Sequence, residues 1–160
     1  MEPTNNDSAT KPLVMVANSN QIAAKVIKRY LNNGGYDTII VHDGLSCLEQ
    51  LRAIQNQPIR VDCIITSVLM TGIDGYKLIA AVRKDLLLCD IPILVVSAIA
   101  DKIQEQIKIV KTGGDDYMVM PIEEELLLAK VRNLVKYSQA HAECFRLQNF
   151  IKELSGTLHV

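Results

Sequence analysis

No run of apolar residues in this chain approaches the length of about 18 that a membrane-spanning helix needs. The N-terminal stretch MEPTNNDSATKP is polar and lacks the apolar centre of a secretion signal. No block of Lys and Arg is present either. Lys+Arg number 17 against 18 Asp+Glu, for a formal net charge of −1, so charge gives no reason to expect a nucleic-acid or membrane partner. The four cysteines, Cys47, Cys63, Cys89 and Cys144, lie far apart with no C-x-x-C. That argues against a zinc site and for reduced thiols, some buried as small hydrophobes, in a cytoplasmic protein. His42, His141 and His159 form no ligand cluster. A Gly-rich phosphate fingerprint, H-E-x-x-H and G-x-S-x-G are all missing, and no metal ligand set or catalytic motif stands out.

What is present is the composition of a folded domain. With 160 residues, 49% of them hydrophobic and 22% charged, the chain is long enough to bury a real core. A disordered chain and a disulfide miniprotein are both excluded. Five short apolar runs punctuate it: Leu13–Ala17, Thr38–Val41, Val61–Thr66, Ile91–Val96 and Tyr117–Met120. Nearly continuous apolarity, rich in β-branched residues, fits strands covered on both faces of a parallel sheet. Helix-period segments lie between them. Ile22, Val26, Ile27, Tyr30 and Leu31 mark the first, stopped by Gly34-Gly35. Leu45, Leu48 and Leu51 mark the second, and Leu78, Ile79, Val82 and Leu86 the third. Ile103, Ile107 and Val110 mark the fourth, ended by Gly113-Gly114. A fifth begins after Pro121, with Glu123, Glu124 and Glu125 suited to its first turn. Five βα units with right-handed crossovers predict an α/β doubly wound sheet with helices on both faces. Sites in such folds form beyond the C-terminal strand ends, here Ala17-Asn18, Ser67, Ser97 and Met120.

Three segments at those ends carry a resemblance: Val68-Leu69-Met70-Thr71-Gly72-Ile73-Asp74-Gly75, Ile91-Pro92-Ile93-Leu94-Val95-Val96-Ser97-Ala98, and Gly113-Gly114-Asp115-Asp116-Tyr117 leading to Met120-Pro121. Together they resemble the receiver domain of response regulators, over roughly Lys11 to Tyr137. The resemblance implies a flavodoxin-like (βα)5 fold with strand order 2-1-3-4-5. It also implies a phosphorylation pocket: an acidic pair and an aspartate that hold Mg²⁺, the aspartate taking the phosphoryl group, with a hydroxyl and a lysine contacting it. Carried across, the acidic pair falls on Ala17 and Asn18, the aspartate on Ser67, the hydroxyl on Ser97 and the lysine on Met120. Only the hydroxyl is kept. Thr71 also stands where the family commonly has proline, although Pro121 is present.

The departures are chemically consistent. Mg²⁺ takes hard oxygen ligands, usually with one or two carboxylates, and these positions offer none. A serine nucleophile needs an adjacent base, and none of the aligned neighbours is one. A lysine retained beside a pocket without acids would be an unpaired, partly buried charge; Met120 removes it. The expected function is therefore a receiver-type module of two-component or phosphorelay signalling with a non-phosphorylatable pocket. It would be no enzyme, would carry no cofactor or metal, and would act through a protein partner. The alternative is a receiver that retains unusual phosphorylation or small-molecule sensing at Ser67. A flavin phosphate at Asn18-Ser19-Asn20 is disfavoured by the absence of Trp and an aromatic content of 4%.

Other residues have plainer readings. Asp74-Gly75 reads as a turn and helix cap, and Asp115-Asp116 as solvated loop acids near the start of a strand. Tyr117 matches the family's switch aromatic, and it equally suits a fixed packed tyrosine. Beyond the fifth helix, Tyr137, Ala140, Cys144, Leu147, Ile151 and Leu154 recur at 3, 4, 3, 4, 3, a heptad seam. It predicts a continuous helical extension that pairs in a homodimer, docks a partner or folds back on its own domain. The expected organisation is a disordered tail over 1–11, a receiver-like domain over 12–137, a helical extension over 138–155 and a tail over 156–160. Only six residues follow Leu154, so no output domain fits within this sequence.

Overall fold

The structure, a computed structural model, describes residues 10–157. The tail expected over 1–11 and the end of that over 156–160 lie largely outside the described residues. Five strands form one parallel sheet: β1 (Leu13–Ala17), β2 (Asp37–Val41), β3 (Val61–Ser67), β4 (Ile93–Ser97) and β5 (Asp116–Val119), in the order β2-β1-β3-β4-β5. The helices are α1 (Gln21–Asn33), α2 (Gly44–Gln55), α3 (Gly75–Lys84), α4 (Ile103–Thr112) and α5 (Glu124–Thr157). This is the flavodoxin-like (βα)5 topology, with a long C-terminal helix.

Alternation along each strand builds two cores. Val14, Val16, Ile65 and Leu94 pack with Ile27 of α1 and Leu127 and Val131 of α5. Met15, Ala17, Ile64 and Val95 face the other way, toward Leu51 of α2, Leu78 and Ile79 of α3 and Ile109 of α4. Helix starts follow sequence chemistry. Asn20, Asp43 and Asp74 accept hydrogen bonds from the first-turn amides of α1, α2 and α3. Gly113 ends α4 at φ +116°, a conformation that favours glycine. Gly75 is required for a different reason. A Cβ there would stand 2.3 Å from the carbonyl oxygen of Ser67, so α3 can begin this close to the end of β3 only without a side chain.

Several expectations change. Leu86 lies beyond α3 and is 91% exposed, and Ile22 and Leu45 also face solvent. The largest change concerns α4. Its periodic residues Ile103, Ile107 and Val110 are exposed, and Ile109 is the one that reaches the core. The inward face of α4 is instead partly polar and bonded: Tyr76 donates to Glu105, and Gln106 Nε2 donates to Ala100 O at 2.8 Å. Asp115 and Asp116 are not free solvated acids. Arg83 Nη2 meets Asp115 at 2.7 Å, and Lys130 meets Asp116 at 2.9 Å.

Helix α5 runs unbroken for 34 residues, roughly 50 Å. Leu127, Val131, Val135 and Ser138 are buried against the body. At about 100° per residue, the seam residues from Tyr137 to Leu154 point to the opposite side of the helix. Past Ser138, every described residue of α5 except the half-buried Ala142 is exposed.

Candidate functional site

The strand ends converge as expected on a cleft of about 210 Å³ beyond β1, β3 and β4. Asn18, Ser67, Ser97 and Met120 line it together. Ala17 does not. Fully buried, it sits in the core with Met15 and Val41, which corrects its assignment to the pocket. Ala23 and Ile99 line it without having been expected, whereas Leu69 lies in the first resembling segment and Asn20 in the Asn18-Ser19-Asn20 turn weighed for a flavin phosphate.

The side-chain oxygens of the cleft are each engaged with its own loops. Asn18 Oδ1 accepts from the Asn20 amide at 2.9 Å. Ser67 Oγ donates to Leu69 O at 3.2 Å, and Ser97 Oγ accepts from the Ile99 amide at 3.2 Å. His42 Nδ1 lies 3.1 Å from the backbone oxygen of Asn18, outside the lining. The Met120 amide donates to Ser97 O at 3.2 Å, and the Met120–Pro121 peptide is cis. No lining residue is ionisable. The cleft therefore offers neutral oxygens, two amide side chains and an apolar rim.

The remaining candidates lie elsewhere. Tyr117 is half-buried against the α2–α4 core, with Lys130 Nζ 6.0 Å from its ring centroid, and it does not line the cleft. The seam residues Tyr137, Leu147, Ile151 and Leu154 are each more than half exposed, and Ala140 and Cys144 are exposed too. Burial pushes the Cys47 thiol up to about 12 and raises that of Cys63 as well, so both stay protonated at neutral pH. Among the described residues, no three His, Cys, Asp or Glu side chains group as a metal site.

This sheet order, with a site at the C-terminal ends of its central strands, is the flavodoxin-like arrangement within which receiver domains fall. Residues 14–132 match the family described as "Response regulator receiver domain", and the chain belongs to it. It is 30% identical over 125 residues to the DNA-binding dual master transcriptional regulator RpaA of Synechocystis sp., covering 78% of this chain and 49% of that protein. It is 32% identical over 130 residues to hybrid signal transduction histidine kinase D of Dictyostelium discoideum, covering 81% of this chain and 8% of that one. The chain thus spans about half the length of the first of these relatives and a small part of the second. Among solved structures, the receiver domain of the Francisella response regulator 1452 superposes with a TM-score of 0.68 at 29% identity, covering 79% of this chain and 98% of that one.

The Mg²⁺ ion that the family implies does not fit the residues present. The three side-chain oxygens best placed for it, those of Asn18, Ser67 and Ser97, are neutral and already engaged in loop hydrogen bonds. A dication removed from water needs more negative charge than they supply.

Proposed function

We propose that this receiver domain is a non-phosphorylatable module that signals in the cytoplasm by protein–protein contact. The observation that carries the reading is the lining of the cleft, in which every side chain is uncharged. Phosphoryl transfer depends on positioning and on neutralising the charge of the transferred group. Neither a cation nor a carboxylate lines this cleft to do either.

The test is direct. Incubated with Mg²⁺ and acetyl phosphate, the whole chain gains no adduct of about 80 Da, the mass of one phosphoryl group. An adduct mapped to Ser67 would establish the alternative reading. The triple change Asn18→Asp, Ser67→Asp and Met120→Lys restores Mg²⁺ binding by calorimetry. Ala17 is left alone because a carboxylate there would enter the apolar core.

Two surfaces support contact as the mode of action. Ile103, Ile107 and Val110 turn the outer face of α4 apolar, and Val119 and Leu126 lie exposed on the neighbouring β5 and α5. The second surface is the seam of α5. Ile151 at an a position between Leu147 and Leu154 at d positions is the pattern of a parallel two-stranded coil. Because the seam faces away from the body, two copies pair along it without their bodies colliding. We therefore assign a homodimer of modest affinity, with no nucleic-acid or membrane contact in its action. Leu147→Asp with Ile151→Asp gives a monomer in sedimentation equilibrium, and circular dichroism of the body stays nearly unchanged. A wild-type chain that is already monomeric at tens of micromolar removes the pairing.

A further inference from the structure

Two polar side chains of the cleft are more than nine-tenths buried, Asn18 at 5% exposure and Ser97 at 7%, and each is hydrogen-bonded on one side only. Asn18 Oδ1 accepts from the Asn20 amide, which settles which end of the side chain is oxygen and which is nitrogen. Its Nδ2 has no partner in the protein. The unpartnered side-chain atoms shut off from solvent are, among the described residues, Thr38 Oγ1 and Gln55 Nε2. Asn18 Nδ2 is not one of them, so its N–H groups are open, and the cavity that Asn18 lines is the cleft. Ser97 is alike. Its Oγ accepts from the Ile99 amide, and its own hydrogen is left to give.

The acceptors on the same wall are taken. Asn20 Oδ1 accepts from the Ile22 and Ala23 amides, and Leu69 O accepts from Ser19 and Ser67. The open side-chain capacity of the buried pair is therefore donor capacity, which selects a ligand that brings an acceptor. That acceptor is uncharged. No ionisable side chain lines the cleft, and Asn20 has already taken the first-turn amides of α1 that would meet an anion. An anion would leave water with no counter-charge to receive it. The rest of the lining is largely apolar, from Ala23, Leu69, Val96, Ile99 and Met120. Leu69 is 84% exposed and Ile99 44%, so a bound molecule takes apolar surface out of water as it meets the donors. A volume of about 210 Å³ holds about seven non-hydrogen atoms, with water's share of liquid volume as a guide.

We infer that the cleft is a binding site for a small neutral carbonyl compound with a compact apolar body, its oxygen accepting from Asn18 Nδ2 with the Ser97 hydroxyl as second donor. This rests on the reading of the cleft as one that takes no phosphoryl group, and gives the vacated site a ligand of its own.

Pinacolone, a methyl ketone on a tert-butyl group, and pivalate, in which a carboxylate replaces the acetyl group, are matched in size and differ in charge. Each is titrated into the ¹⁵N-labelled full chain. Pinacolone shifts the Asn18 side-chain amide and the backbone amides of Ala23, Leu69, Ser97 and Ile99 saturably. It binds at least about tenfold more tightly than pivalate. Asn18→Asp keeps the acceptor for the Asn20 amide and turns the donor into a second oxygen, which weakens pinacolone about tenfold. Ser97→Ala weakens it about three- to tenfold, the worth of one hydrogen bond. If one variant does not fold, the other and the wild-type ratio decide. Pivalate binding as tightly as pinacolone, either folded variant binding as the wild type does, or shifts confined to residues outside the cleft would each overturn the proposal. So would the lack of a saturable shift up to about 30 mM, the weakest affinity expected of a ligand this size. A phosphoryl adduct after treatment with acetyl phosphate counts against both readings of the cleft, whereas a failed titration counts against the ligand alone.

Discussion

The two ends of the sheet have been treated differently. At the N-terminal ends of the strands, charge is abundant and paired. Arg83 alone donates to Gly113 O, Cys89 O and Ile91 O while meeting Asp115, and Asp115 in turn accepts the amide that opens β4. Asp62 accepts the Leu13 amide that opens β1, and Asp116 holds Lys130. At the C-terminal ends, where this family does its chemistry, the cleft lining has no charge at all. The backbone there is nevertheless intact: the caps at Asn20, Asp43 and Asp74, the close approach at Gly75 and the Ser97 turn all remain. Charged side chains here hold elements together, and none lines the cleft. The backbone of the cleft end thus stands on caps and close approaches that need no charge in the cleft itself.

Substitutions at the two ends sharpen the contrast. Arg83→Met breaks the largest paired network, leaves three carbonyls without the guanidinium donor and leaves Asp115 with the Ile93 amide but no counter-ion. It destabilises by about 3 kcal/mol in urea unfolding. Gly75→Ala attacks the preserved backbone of the cleft end. With the Ser67 carbonyl in its way, it costs about 2 kcal/mol by the same measurement. Asp43→Ala removes the cap of α2. The Ser46 amide and hydroxyl hold the Asp43 carboxyl below its ordinary 3.8. A depressed carboxylate contributes fully above its unfolded value, and the contribution is lost as pH falls through the depressed one. Asp43→Ala therefore lowers the melting temperature by a few degrees at pH 7, and the gap closes below pH 3.8. Ser67→Ala should be nearly silent, within about 0.5 kcal/mol. A large loss there would mean that the cleft hydroxyl is structural, and the contrast between the ends would fail.

The strands were legible because their apolarity is local. LVMVA is both the run in the sequence and the strand β1. Strand β4 begins at Ile93, two residues later than its apolar run, because Pro92 has no amide to enter the ladder and uses its carbonyl to accept from Ile64. The pocket was legible through resemblance at Asn18, Ser67, Ser97 and Met120 and failed at Ala17, where strand alternation with Met15 already pointed to the core. The face of α4 was not legible. Three isoleucines and valines at helical spacing look like a core stripe. What turns them outward is tertiary: Glu105 and Gln106 find partners on Tyr76 and Ala100, which periodicity within α4 does not report. Asp115 and Asp116 were misread for the same reason, since Arg83 and Lys130 lie far away in sequence.

The continuity of α5 has a mechanical consequence. From Glu143 to Thr157 the helix projects about 22 Å past the body, and neither proline nor glycine interrupts it from Glu124 until Gly156. Such a helix is a lever whose short arm is clamped in the α1 core. A tilt of about 5° at the clamp carries the tip about 2 Å at this length. Displacements too small to disturb the packing of Val131 and Val135 thus grow with distance along the arm, to about 1 Å at Ile151 and twice that at the tip.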